Sequence, residues 1–175
     1  MTKTYDNAIR TGKEFLGQVV STVYTGKTTY SYPTAGQTGT YIAVLNTSIT
    51  PTESNSKIRV ELNISFEVHH NTIFRLFRSV NGGADTEVVR NDDTNYWSGW
   101  ANNSYDNNSS STMDSKHYIY VDSPNTTSIV EYKFMIQSGG NSAGTFYLNR
   151  TFNSAGQQNY ENAVSQAILT EILVV

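Results

Sequence analysis

Cysteine is absent from this 175-residue chain. That excludes disulfide scaffolds, thiolate zinc sites, iron–sulfur clusters and thiol nucleophiles together, and it leaves the redox compartment unreadable. Charge is scarce as well: Asp, Glu, Lys and Arg make up 15% of the residues, where an ordinary domain carries about 25%. There is no basic surplus, since the net charge is -3, so a nucleic-acid partner held by a basic face is not expected. No run approaches the roughly eighteen apolar residues of a membrane span, and membrane insertion is not expected either. Residues 1–15 are mixed polar and lack the apolar stretch of a secretory leader.

Uncharged polar residues fill the gap. Thr, Ser and Asn together number 59 of 175, and tyrosine reaches 12. Alanine, lysine and glutamate are sparse, a balance that favours strands over helices. The length suits one domain, able to bury roughly 70% of its unfolded surface without a metal or disulfide. We expect residues 1–15 to be a leader or attachment segment and residues 16–175 a single domain.

The clearest pattern is Lys57–Val68. Ile58, Val60, Leu62, Ile64, Phe66 and Val68 alternate with Lys57, Arg59, Glu61, Asn63, Ser65 and Glu67, a period of two that marks a half-buried strand. Weaker versions occupy Leu16–Tyr24, Thr40–Ile49, Ile73–Val80, Thr86–Arg90, His117–Val121, Ser128–Gln137, Gly144–Phe152 and Ala167–Val175. Turn signals separate them, among them Asn81-Gly82-Gly83, Asp122-Ser123-Pro124-Asn125 and Ser138-Gly139-Gly140-Asn141. About nine short strands at this spacing predict an all-β, antiparallel β-sandwich or barrel. In the last strand Ile168, Ile172 and Val174 share one face and Leu169, Leu173 and Val175 the other. Both faces want burial while a sandwich core covers one. The second set is therefore the expected oligomer interface.

Between Arg90 and Lys116 the alternation stops, in a long loop rich in Asn and Ser that holds both tryptophans of the protein. Loops of this length in compact domains tend to carry function. Tyr96, Trp97, Trp100 and Tyr105 offer aromatic faces to sugar rings or other flat surfaces, and Asn95, Asn102 and Asn103 offer hydrogen bonds beside them. The competing reading has the tryptophans fold back as a lid over one end of the sandwich. The two readings are compatible.

Other motifs carry less. Gly26-Lys27-Thr28 lacks the first glycine of a phosphate loop, because Ser21 stands in its place. His69 and His70 are adjacent and would point to opposite faces of a strand, and His117 has no partner at ligand spacing, so no metal site is expected. Asp92 and Asp93 lack the spacing of a calcium loop. No Gly-x-Ser-x-Gly elbow is present, and Asp114, Ser115 and His117 are close only in sequence. Glu61 and Glu67 fall on the outward face of their strand, where solvated charges belong. We expect no catalytic residues, no enzyme activity and no cofactor. The Asn-x-Ser/Thr triplets at Asn46, Asn63, Asn102, Asn125 and Asn149 arise readily by chance in so polar a chain.

The order of several short segments is informative. Leu16-Gly17-Gln18-Val19-Val20-Ser21-Thr22 opens the domain, followed by Ser48-Ile49-Thr50-Pro51 and Ser56-Lys57-Ile58. Phe74-Arg75-Leu76-Phe77-Arg78, Tyr120-Val121-Asp122-Ser123-Pro124, Val130-Glu131-Tyr132-Lys133 and Tyr147-Leu148-Asn149-Arg150 come later, and Leu169-Thr170-Glu171-Ile172 closes the series. Together they resemble a family of marine tailed-phage and cyanophage virion proteins described as tail fibre, fibre tip or structural protein. The resemblance runs from Leu16 to the C-terminus. It implies a jelly-roll β-sandwich without catalytic machinery, displayed on the virion as a homotrimer and suited to host attachment; the aromatic loop makes a surface glycan the expected target. Residues 1–15 would then plug into other virion proteins. The alternative within the same setting is a capsid decoration, head-fibre or tail adaptor protein that binds only its virion neighbours.

Overall fold

The structure is a computed structural model and describes residues 14–68, 70–91, 97–103, 112–154 and 161–174. Twelve strands occur among the described residues. In chain order they are β1 (Glu14–Tyr24), β2 (Thr28–Tyr32), β3 (Thr40–Tyr41), β4 (Thr47–Ile49), β5 (Lys57–Val68) and β6 (Thr72–Val80). Then follow β7 (Thr86–Val89), β8 (Ala101–Asn103), β9 (Asp114–Asp122), β10 (Val130–Ser138), β11 (Gly144–Leu148) and β12 (Ser165–Val174). The nine expected segments are all represented. The segment expected as one strand from Thr40 to Ile49 divides, because a 3-10 turn over Ala43–Leu45 brings Ile42 and Leu45, three apart, into the core together.

The strands form two sheets with antiparallel pairing throughout. In the first, β1, β12, β5 and β9 lie side by side, and the β11–β2 pair continues past the end of β12 along β5. In the second, β10 is flanked by β3 and β4 on one edge and by β6 on the other, and β6 pairs in turn with β7 and β8. The pairs are nested along the chain: β1 with β12, β4 with β10, β5 with β9, β6 with β7. A long antiparallel ribbon rolled up in this way is a jelly roll.

Between the sheets lie the inward residues of β5 together with Phe74, Leu76, Val130, Tyr132, Phe134, Ile136, Phe146 and Leu148, all at or near zero exposure. Phe66 stacks on Phe146 at 4.9 Å and tilts against Phe74 at 5.3 Å. One rim is closed by a polar tie. Arg78 of β6 donates to both carboxylate oxygens of Asp122 at 2.6 and 2.5 Å, and the Tyr132 hydroxyl donates to the same carboxylate at 2.8 Å. Burial, and after it the Asp122 charge, pushes the Tyr132 phenol far above its ordinary range.

Two expectations change. Leu169 is fully buried in the chain's own core and is not available to a partner. Its register opposite Val60 places it on the inner face, whereas alternation within β12 alone cannot say which face is inner. Leu173 is half-buried opposite Phe15, and Val175 lies outside the described residues. The outward face of the first sheet instead exposes Leu16, Val19 and Val23 of β1 with Ile119 and Val121 of β9. Glu67, expected in water, is buried and accepts the Phe152 backbone N–H at 2.7 Å, because the turn Phe152–Ser154 covers it.

Candidate functional site

The segment 97–103 is laid across β6 by a close backbone approach. Trp100 N–H donates to the Phe74 carbonyl at 2.8 Å, and β8 then pairs with Thr72–Phe74. Gly99 permits this contact, since a Cβ there would stand 2.4 Å from Ile73 Cγ2 and 2.7 Å from the Phe74 oxygen. The glycine sits between the two tryptophans and sends them opposite ways.

Trp100 turns inward. Its ring lies 5.6 Å from Tyr118 and 6.4 Å from Phe134, closing the core beside β9. Tyr118 also packs on Phe74, and its hydroxyl is buried with no hydrogen-bond partner among the described residues. Burial, with the Asp114 charge added, pushes that phenol up to about 12.

Trp97 turns outward and is 52% exposed. It lines a cleft of about 350 Å³ with Asn71, Ile73, Asn102, Asn103 and Gly139. The walls come from the β5–β6 turn, the β10–β11 turn and β8. Gly139 N–H donates to the Asn71 carbonyl at 2.7 Å, and a Cβ at Gly139 would come within 2.9 Å of the Asn71 Cβ, so glycine keeps the two turns together. Asn103 is buried while Asn102 faces out. The arrangement offers one large aromatic face beside asparagine side chains, a combination that binds a ring with one apolar face and hydroxyls at its edge.

Of the residues singled out in the sequence, Trp97, Asn102 and Asn103 converge on this cleft, while Trp100 serves the core. Tyr96, Tyr105 and Asn95 lie outside the described residues, as do His69, Asp92 and Asp93. Asn71 and Gly139 sit in turns remote in sequence from the loop, and Ile73 reads only as part of a strand; the Ser138-Gly139-Gly140-Asn141 signal marks a turn without saying what it faces. Among the described residues no three His, Asp or Glu side chains gather as metal ligands. His117 meets Glu61 at 3.2 Å on the outer face of the first sheet, where Arg59 also pairs with Glu61 at 3.0 Å.

No known family model matches the chain, and no curated protein matches it. Among solved structures, the chain aligns with the infectious bursal disease virus Gx strain structure at a TM-score of 0.39 and 10% identity, covering 91% of this chain and 39% of that one. The VP2 subviral particle of the same virus aligns at 0.38 and 10%, covering 96% and 43%, and its T=1 particle at 0.38 and 12%, covering 94% and 40%. The chain thus spans about two fifths of the length of these neighbours. The jelly roll is defined by its own strand pairing, and these distant alignments add nothing to it.

Proposed function

We propose that the protein is a virion surface component, a tail fibre or fibre tip, that attaches the particle to a host cell by binding a surface glycan in the Trp97 cleft. The observation that carries this reading is Trp97 itself. A large aromatic side chain, half exposed, lines a cleft with three asparagines, on a scaffold whose other tryptophan is packed against the core. Exposing such a ring forgoes its burial energy, and sugar stacking is a use that recovers it. The ordered resemblance to phage fibre proteins supports the virion setting.

Glycan-array screening followed by titration tests the reading. Trp97→Ala should weaken binding about tenfold or more while leaving the unfolding transition in place. Undiminished binding by this variant would remove the site.

A second reading, a decoration, head-fibre or adaptor protein that binds only other virion proteins, draws on the exposed apolar side chains at two sides of the first sheet's outer face, Leu16, Val19 and Val23 on β1 and Ile119 and Val121 on β9. Microscopy of purified particles separates the two. A position at the distal end of a tail supports attachment, and a position on the capsid lattice supports decoration. The attachment reading also includes assembly as a homotrimer. Sedimentation equilibrium should return three times the chain mass of 19.5 kDa, and a stable monomer at micromolar concentration counts against the fibre.

A further inference from the structure

The outer face of the first sheet is apolar at its two sides and polar down the middle. Five of the nine large hydrophobic side chains exposed among the described residues lie on its flanking strands, Leu16, Val19 and Val23 on β1 and Ile119 and Val121 on β9. Each is between 44% and 71% exposed. Between these rows β5 presents Arg59 and Glu61, joined at 3.0 Å, and His117 of β9 meets Glu61 at 3.2 Å. Edge strands are usually blunted by lysine, proline or inward-pointing charge. From Phe15 to Tyr24, however, β1 carries no charged residue and no proline.

The two apolar rows stand at the same height along the strands. Val19 is opposite Thr170, Thr170 opposite Arg59, and Arg59 opposite Val121; one rung further, Ser21, Ile168, Glu61 and Ile119 line up in the same way. A rotation about an axis parallel to the strands moves no residue up or down. It therefore brings Val121 of one copy level with Val19 of the next, and Ile119 falls between the next copy's Val19 and Val23. The meeting is antiparallel, like every other pair in this sheet, because β1 runs with β5 and against β9. Width sets the number of copies. Four strands span about 19 Å, and three such faces closed into a triangular prism stand about 5.5 Å from its axis, close to half the roughly 10 Å spacing of packed sheets. Side chains of three faces thus meet at the centre, where four faces would leave a hollow and two would press the polar middles together. Each copy offers a face about 19 Å wide and, from nine-residue β9, about 30 Å long. That is roughly 600 Å² before side-chain relief is counted, against roughly 800 Å² per partner in a standard specific interface.

We infer that this face is the interface of the homotrimer, with β1 of each copy packed against β9 of the next around an axis parallel to the strands. The inference rests on the trimeric assembly put forward above and supplies its contact surface. The apolar rows fill the three seams, and Arg59 and Glu61 line the axis, each charge with its opposite beside it. The three Trp97 clefts then stand at one end of the prism, since Asn71 in the cleft wall lies just past the end of β5. Three sites facing one way raise avidity for a surface that displays many copies of a ligand.

Sedimentation equilibrium on the full chain tests this, with far-ultraviolet circular dichroism checking that each variant folds. Val19→Lys alone and Val121→Glu alone should each bring the mass from three times 19.5 kDa down to 19.5 kDa, because each places an unpaired charge in an apolar seam. The two substitutions combined in one chain should restore the threefold mass, since the lysine of one copy then meets the glutamate of the next. A trimer that persists in both single variants overturns this interface and leaves trimeric assembly standing. Dissociation of the single variants without recovery in the combined one overturns the pairing of β1 with β9. A wild type that sediments as a single chain overturns the assembly and its interface together. None of these results touches glycan binding in the Trp97 cleft, which is read separately.

Discussion

Trp100 packs its indole against Tyr118 and Phe134, so truncating it leaves a void the sheets on either side cannot close. Trp100→Ala should cost about 3 kcal/mol of stability, read as a lower urea midpoint, whereas Trp97→Ala should leave that midpoint unchanged. A reversed pattern would mean that the assignments of the two rings are exchanged. The sequence points to this loop and offers two uses for its tryptophans, a lid over the core and a ligand face, but not which tryptophan would serve which. That division depends on Gly99 lying against Ile73 and Phe74, a contact between β6 and a loop more than twenty residues away. Local pattern carries no information about such contacts. Asn71 and Gly139 are hidden for the same reason.

Among the elements, β12 is the most instructive. Its alternation is legible, and its register is not, because inner and outer follow from which residue of β5 each one faces. Glu171 shows what is at stake. It falls on the inner face opposite Ile58 and is fully buried. Thr52 donates to it through both backbone N–H and hydroxyl, at 2.6 and 2.8 Å, and Gln18 through its amide at 3.0 Å. Burial alone would raise its pKa. The polar groups of Ser56, Thr52 and Gln18 gathered around it outweigh that and bring it down to about 2. One carboxylate thereby fastens the start of β1 and the loop before β5 to β12. Its folded pKa lies below the unfolded value of 4.5, so its contribution is complete above that value and is lost as the pH falls towards about 2. Glu171→Gln should lower stability by about 1–3 kcal/mol at neutral pH, and urea midpoints followed from pH 5 to pH 2 should fall less steeply than in the wild type. Parallel acid limbs would show that Glu171 does not titrate in this window.

For the molecule as a whole, the fold class was legible from period-two segments and turn signals spread along the chain. The nested pairing that makes it a jelly roll is a property of the roll and not of any strand, and it was expected only through the resemblance. The scarcity of charge acts at this scale too. Most of the described ion pairs have at least one partly exposed member, and such pairs contribute roughly 0–1 kcal/mol each. Stability should accordingly respond weakly to salt. The melting temperature should move by no more than about 3 °C between 0.05 and 1 M sodium chloride, and a drop well beyond that would reveal an electrostatic framework that these pairs do not account for.

Pairing the first strand with the last also gives the molecule two poles. Glu14 faces Val174 at the end of the first sheet where β5 begins. The Asn71 and Gly139 turns beside Trp97 stand where β5 ends, some 40 Å further along a twelve-residue strand. A tether, tag or fusion partner joined near either end of the described chain therefore leaves from the pole opposite the aromatic cleft. Such a molecule fixed by its N-terminal side to a bead or sensor chip would hold Trp97 towards the solution, whereas random coupling through lysines would bury it in some orientations.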